Sequence, residues 1–100
     1  MTREEVLSKA KSIVCGDREE QYGSPEDNFE VIADLWSVYL DQFIPQKPYQ
    51  ISAVDVSIMM CLMKIARIIS GNYKEDSWVD AIGYLACGAE IDGYLRGENK

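Results

Sequence analysis

The sequence predicts an all-α fold, a four-helix bundle, on three observations. Apolar residues recur at helical spacing in four separate stretches. Helix-start signals stand at the head of three of them: T-x-x-E, S-P-E-D and S-x-x-D. The joints between them are short and carry Gly or Pro.

The first helix is expected over about 2–15. Thr2 and Glu5 form a capping box, and Val6, Ala10, Ile13 and Val14 mark a narrow apolar face. Gly16 is read as its stop. The second helix is expected over about 24–44. Ser24 is a good N-cap, Pro25 fits the first turn, and Glu26 and Asp27 suit the positive helix end. Phe29, Ile32, Ala33, Trp36, Leu40 and Phe43 follow at helical spacing, before Pro45 and Pro48 break the pattern.

A third helix is expected over about 52–70, started by Ser52 with Asp55 three residues on and ended before Gly71. It is apolar almost all round, with Met59, Met60 and Met63 among many Ile and Val. Such a helix belongs in the middle of an assembly, one side toward the bundle and another toward a partner subunit. The fourth helix is expected over about 75–95. Trp78, Ile82, Leu85 and Ala89 form one seam, and Asp76, Asp80, Tyr84 and Cys87 a more polar stripe.

One hundred residues make a single domain with a modest core. The apolar helix faces exceed what one small core covers, so a homodimer or higher homo-oligomer is expected. Seventeen acidic residues against ten basic ones leave a net charge of −7. That balance opposes binding to duplex nucleic acid or to an anionic membrane. It suits a divalent cation held by carboxylates, or a small anion gripped by a few local cations.

Cys15, Cys61 and Cys87 are widely separated, no CxxC occurs and His is absent. The cysteines are therefore read as small buried core residues in a reducing cytoplasm. No apolar stretch is long enough to span a bilayer.

Without His, no Ser-His or Cys-His nucleophile pair is available. Chemistry would rest on carboxylates, with magnesium, and on Lys, Arg and Tyr. Asp76 and Asp80 are four apart and share a helix face, where a cation would relieve their repulsion. Lys64 and Arg67 share a face of the third helix and would hold a phosphate or pair with those aspartates. Nine residues separate Asp55 from Lys64, placing them on opposite sides of one helix. In the segment DREEQYGSPEDNF, helix initiation accounts for Ser24 onward but not for Arg18, Tyr22 and Gly23. Arg suits bidentate phosphate recognition and Tyr suits stacking on a base.

Four motifs, DREEQYG, SPEDNF-x-x-I-A-x-L-W, D-V-x-x-M-M-x-L-x-K-I-A-R and DSWVDAIGYLACGAE, resemble a family of small phage and prophage proteins over about residues 14–91. K-x-x-R-I followed by D-x-x-x-D-x-x-x-Y also looks like the nucleotide-modification-associated domain of phages. It is similar as well to the later helices of MazG-type all-α nucleoside triphosphate pyrophosphohydrolases. The last resemblance implies an oligomer in which Asp76 and Asp80 hold magnesium and Lys64 contacts phosphate. The E-E-x-x-E helix of that pattern is missing; the third helix offers only Asp55 in its place.

Three functions follow as expectations. The first is a cytoplasmic, phage-type nucleotide-binding protein that sequesters a nucleotide signal of host defence, using Arg18, Tyr22, Lys64, Arg67 and Asp80. The second is a magnesium-dependent nucleotide pyrophosphohydrolase with Asp55, Asp76 and Asp80 as metal ligands. The third is an oligomeric interaction protein without a small ligand.

Overall fold

Helix-start chemistry is where sequence and structure meet first. In the computed structural model, which describes residues 1–17, 20–21, 23–43 and 50–97, all three expected N-caps form. The Thr2 hydroxyl accepts from the Glu5 N–H at 3.1 Å, and the Glu5 carboxylate accepts from the Thr2 N–H at 2.8 Å. That bond from the backbone holds the Glu5 carboxyl below its ordinary pKa. Ser24 accepts from the Asp27 N–H at 3.4 Å. Ser52 and Asp55 exchange a reciprocal pair at 3.0 and 3.1 Å.

The described residues form four α-helices, the first three from these starts: α1 (Arg3–Ser12), α2 (Pro25–Asp41), α3 (Ala53–Ser70) and α4 (Glu75–Leu95). No strand occurs among the described residues. The first helix does not stop at Gly16. It widens into a π-helical turn over Ile13–Asp17, a form that is rare and often marks functional sites. The second helix ends at Asp41, short of position 44. Phe43 thus lies beyond the helix, exposed, with its ring 5.0 Å from that of Tyr39.

The central helix is α4, which packs most heavily on α3 and also touches α1, α2 and the π-turn. It does not use the Trp78–Ile82–Leu85–Ala89 seam for this. Trp78 and Leu85 are exposed, while Ser77, Ala81, Tyr84, Gly88 and Ile91 are buried. The reason is steric. Small residues let two backbones approach, and a Cβ placed on Gly88 would stand 2.0 Å from the Ser57 Oγ of α3. A Cβ on Gly83 would stand 2.9 Å from a methyl of Val14 in the π-turn.

The remaining core is built largely as the periodicity predicts. Phe29 and Ala33 of α2 are buried with Ile51, Ala53, Val56 and Cys61, and Ile32, Trp36 and Leu40 pack against them. Of the three cysteines, Cys61 is buried, Cys87 half-buried and Cys15 exposed. Cys15 is therefore not the core residue expected. It is carried on the π-turn, whose packed contact is made by Val14.

One polar link was not legible in advance. The buried Ser37 hydroxyl donates to the Ala33 carbonyl at 2.8 Å and accepts the Ile51 N–H at 2.9 Å. It ties α2 to the segment that starts α3. Ser37→Ala leaves the buried Ile51 N–H without that acceptor, an expected cost of about 1–3 kcal/mol. Chemical denaturation of the variant measures it; an unchanged midpoint would show that the link contributes nothing.

Candidate functional site

The fold brings together two of the charged residues singled out by the sequence. Lys64 faces α4 from the middle of α3, and its Nζ lies 3.0 Å from Oδ2 of Asp80. The two side chains are 13% and 19% exposed, so the pair is largely withdrawn from water. α3 and α4 form an antiparallel hairpin across a short joint, which sets a residue two turns before the end of α3 opposite one in the second turn of α4. A pair in this setting is held more firmly than a surface ion pair, and each partner depends on the other.

Asp80 also borders a narrow pocket between the α1 end, the start of α2 and α4. Ile13 and Val14 of the π-turn form one wall, and Gly23, Pro25 and Asn28 another. Phe29, Gly83, Tyr84 and Cys87 complete it beside Asp80. The rings of Phe29 and Tyr84 are tilted to each other with centroids 6.3 Å apart. The pocket volume is about 40 Å³, room for a few waters or for the edge of a planar ring. At Gly83 the absent Cβ lets a methyl of Val14 close against α4.

Chemically the pocket offers one carboxylate, one amide and two aromatic rings within apolar walls. Asp80 accepts hydrogen bonds, Asn28 donates and accepts, and the rings present flat surfaces. Glu26, in the first turn of α2, does not line the pocket and has one buried carboxylate oxygen with no hydrogen-bond partner among the described residues.

The other sequence candidates are dispersed. Arg67 is exposed on the last turn of α3 and lines neither this pocket nor the second cleft. Asp76 is exposed in the first turn of α4, where it suits the helix dipole. Asp55 is exposed and committed to the Ser52 cap. It lies nine residues before Lys64, about 14 Å along the helix axis. Among the described residues, no group of three acidic, Cys or His side chains is placed to hold a metal ion. Within one chain, Asp55, Asp76 and Asp80, the ligands expected for a magnesium-dependent enzyme, therefore do not form such a group among the described residues. Arg18 and Tyr22 lie outside the described residues.

Sequence reasoning placed Tyr84 and Cys87 on the stripe of Asp80 but did not give them a pocket. It read Asn28 and Phe29 as helix only. The available signal was Gly83, a helix-interior glycine four residues before Cys87. Such a glycine weakens a helix unless something approaches it closely.

A second, more open cleft of about 390 Å³ lies between α1 and α4, walled by Leu7, Tyr73, Trp78 and Ile82 with Arg3 and Glu75 at its margin. It holds none of the candidate residues. No α-helix among the described residues is long and apolar enough to cross a membrane.

These features define a small all-α protein with a largely buried lysine–aspartate pair beside an aromatic pocket. The chain belongs to the family described as Domain of unknown function (DUF6378), whose model matches residues 5–92. It is 40% identical over 84 residues to the Gene 55 protein of Mycobacterium phage D29, covering 84% of this chain and 51% of that protein. It is 37% identical over 79 residues to the Gene 55 protein of Mycobacterium phage L5, covering 79% and 47% of the two chains. The chain therefore spans about half the length of these curated relatives. No solved structure matches it.

Proposed function

We propose that the chain is a nucleotide-binding module that seats the edge of a nucleobase in the pocket between α2 and α4. What supports this is the meeting of Asp80, Asn28, Phe29 and Tyr84 around one narrow space, with Lys64 behind the carboxylate. Asp80 accepts from the base or a ribose hydroxyl, and the Asn28 amide reads the ring edge. Lys64 is a positioning residue in this arrangement: it fixes the Asp80 carboxylate rather than gripping phosphate. The small volume leaves the sugar and phosphates at the mouth. The likeness of K-x-x-R-I and D-x-x-x-D-x-x-x-Y to nucleotide-handling phage domains is consistent with this ligand class.

A binder without turnover would act by sequestration. The proposed ligand is a nucleotide signal of host defence, held in the cytoplasm of an infected cell; similarity to phage proteins is in keeping with that role. Turnover gains no comparable support, because the described carboxylates do not converge.

Thermal shift against a panel of mono-, di- and cyclic nucleotides, with and without magnesium, tests the proposal. At least one nucleotide is expected to raise the melting temperature without needing magnesium. Asn28→Ala is the informative variant, since its side chain lines the pocket but caps no helix. It should weaken that ligand about tenfold, the loss of one well-placed hydrogen bond, with the unliganded melting temperature unchanged. Equal affinity of parent and variant would place the ligand elsewhere. No shift with any nucleotide would refute binding, and magnesium-dependent release of pyrophosphate would establish the enzyme instead.

A further inference from the structure

The third helix is apolar on two faces, and the bundle uses one. Ala53, Val56, Ser57 and Cys61 are buried against the rest of the chain. Ile58, Leu62, Ile65 and Ile69 stand 39–79% exposed on the other side. Their spacing of four, three and four residues is that of a helix-pairing seam.

We propose that this face is covered by the same face of a second copy, the two α3 helices running antiparallel about a twofold axis. The stripe is symmetric about the midpoint between Met63 and Lys64. Antiparallel pairing therefore sets Ile58 against Ile69 of the partner subunit and Leu62 against Ile65 of the partner subunit. Each contact occurs twice, as a twofold interface requires. Parallel pairing would instead continue the seam to Asp55 facing its own copy, two like charges at a contact position. In the antiparallel register Asp55 falls beyond the partner's last helical turn.

Area and shape argue for an occupant of this size. The chain exposes 7136 Å², whereas a compact monomer of this mass exposes about 5,700 Å². The excess of about 1,400 Å² is larger than the ~800 Å² that each partner of a standard interface contributes. The radius of gyration is 14.9 Å, against about 13 Å for a compact domain of this length. The smallest dimension, 24 Å, is about two helix diameters.

A rival stripe exists on α2, where Val31, Leu35, Val38 and Tyr39 are exposed, with Phe43 just past the helix end. It is as long as the α3 stripe, but the polar Gln42 falls within it and Asp34 and Asp41 flank it. Self-pairing there would bring acidic groups of two copies together in a chain already at −7. The α3 stripe has no acidic residue within it and is bordered by Met59 and Met63, which adapt readily to a facing surface.

Sedimentation of the full chain at micromolar concentration tests this. The parent is expected at twice the chain mass or a higher even multiple. Leu62→Glu should halve that mass or more, with helical circular dichroism retained, because the side chain is exposed in the single chain. Leu35→Glu should leave it unchanged. A monomeric parent overturns the proposal. So does a mass that falls with Leu35→Glu but not with Leu62→Glu. Should Leu62→Glu not fold, register is read by cross-linking in a Cys15→Ser background. Leu62→Cys and Ile65→Cys chains, mixed and oxidised, should join to each other in preference to themselves. Preferential self-joining of Leu62→Cys overturns the antiparallel arrangement.

Discussion

Gly88→Ala is expected to lower the melting temperature by more than about 10 °C, converting a cost of about 2–3 kcal/mol for a domain of this size. In an exposed helix interior the same change would stabilise by up to ~1 kcal/mol, since Ala is the better helix former. Here the added Cβ would lie 2.0 Å from the Ser57 Oγ and 2.8 Å from its Cβ. A hydroxyl can rotate away, but a Cβ moves only with its backbone, so α3 and α4 must separate along their main contact. Ser57→Gly in the same chain removes both obstructing atoms and should recover part of the loss. If Gly88→Ala stabilises the protein, α3 and α4 do not cross this closely. The corresponding change at Gly83 meets a methyl of Val14 at 2.9 Å, a side-chain end that can turn, and should cost less.

Breaking the Lys64–Asp80 pair is the second large effect. Lys64→Met leaves a mostly buried carboxylate without its cation. For a fully buried pair the loss is about 3–5 kcal/mol; the 13% and 19% exposure here lets water recover part of it, leaving about 2 kcal/mol. Asp80→Asn should cost a similar amount by stranding the ammonium. The double variant should be less destabilised than the two losses added together, because neither charge is left alone. Urea denaturation of the four proteins measures the coupling. Strict additivity would mean that the two groups do not interact in solution. A consequence for binding studies follows: Lys64 substitutions weaken the scaffold as well as the site, so Asn28 is the cleaner probe of ligand contact.

Much of the architecture was legible because its determinants are local. Capping boxes, Pro25 and the 3.6-residue apolar period act within one helix, and the caps at Thr2, Ser24 and Ser52 form as their residues dictate. Facing was less legible. The large residues Trp78 and Leu85 mark one seam of α4 in the sequence, yet the inner seam is made of Ser77, Ala81 and Gly88. Periodicity finds a stripe but does not say which stripe meets a neighbour; close approach favours the small one. The π-turn at Ile13–Asp17 likewise has no simple sequence signature.

The candidate site divides the same way. Lys64 and Asp80 stood out as charges inside helical patterns with no capping role, and they meet. Asp55 had a local explanation in the Ser52 cap, and the exposed Asp76 falls in the first turn of α4, where the helix dipole suits it. The pocket itself depends on three segments meeting, Ile13–Asp17, the start of α2 and the middle of α4, a long-range arrangement no single stretch encodes. Asn28 and Phe29 acquire their place only through it.

The most direct test of nucleotide binding at this pocket is amide chemical-shift mapping on the isotope-labelled chain as nucleotide is added. The largest shifts are expected at Gly23, Asn28, Gly83, Tyr84 and Cys87, saturating with a single affinity. Shifts centred instead on Leu7, Tyr73 and Trp78 around the other cleft, or none at millimolar nucleotide, would contradict it.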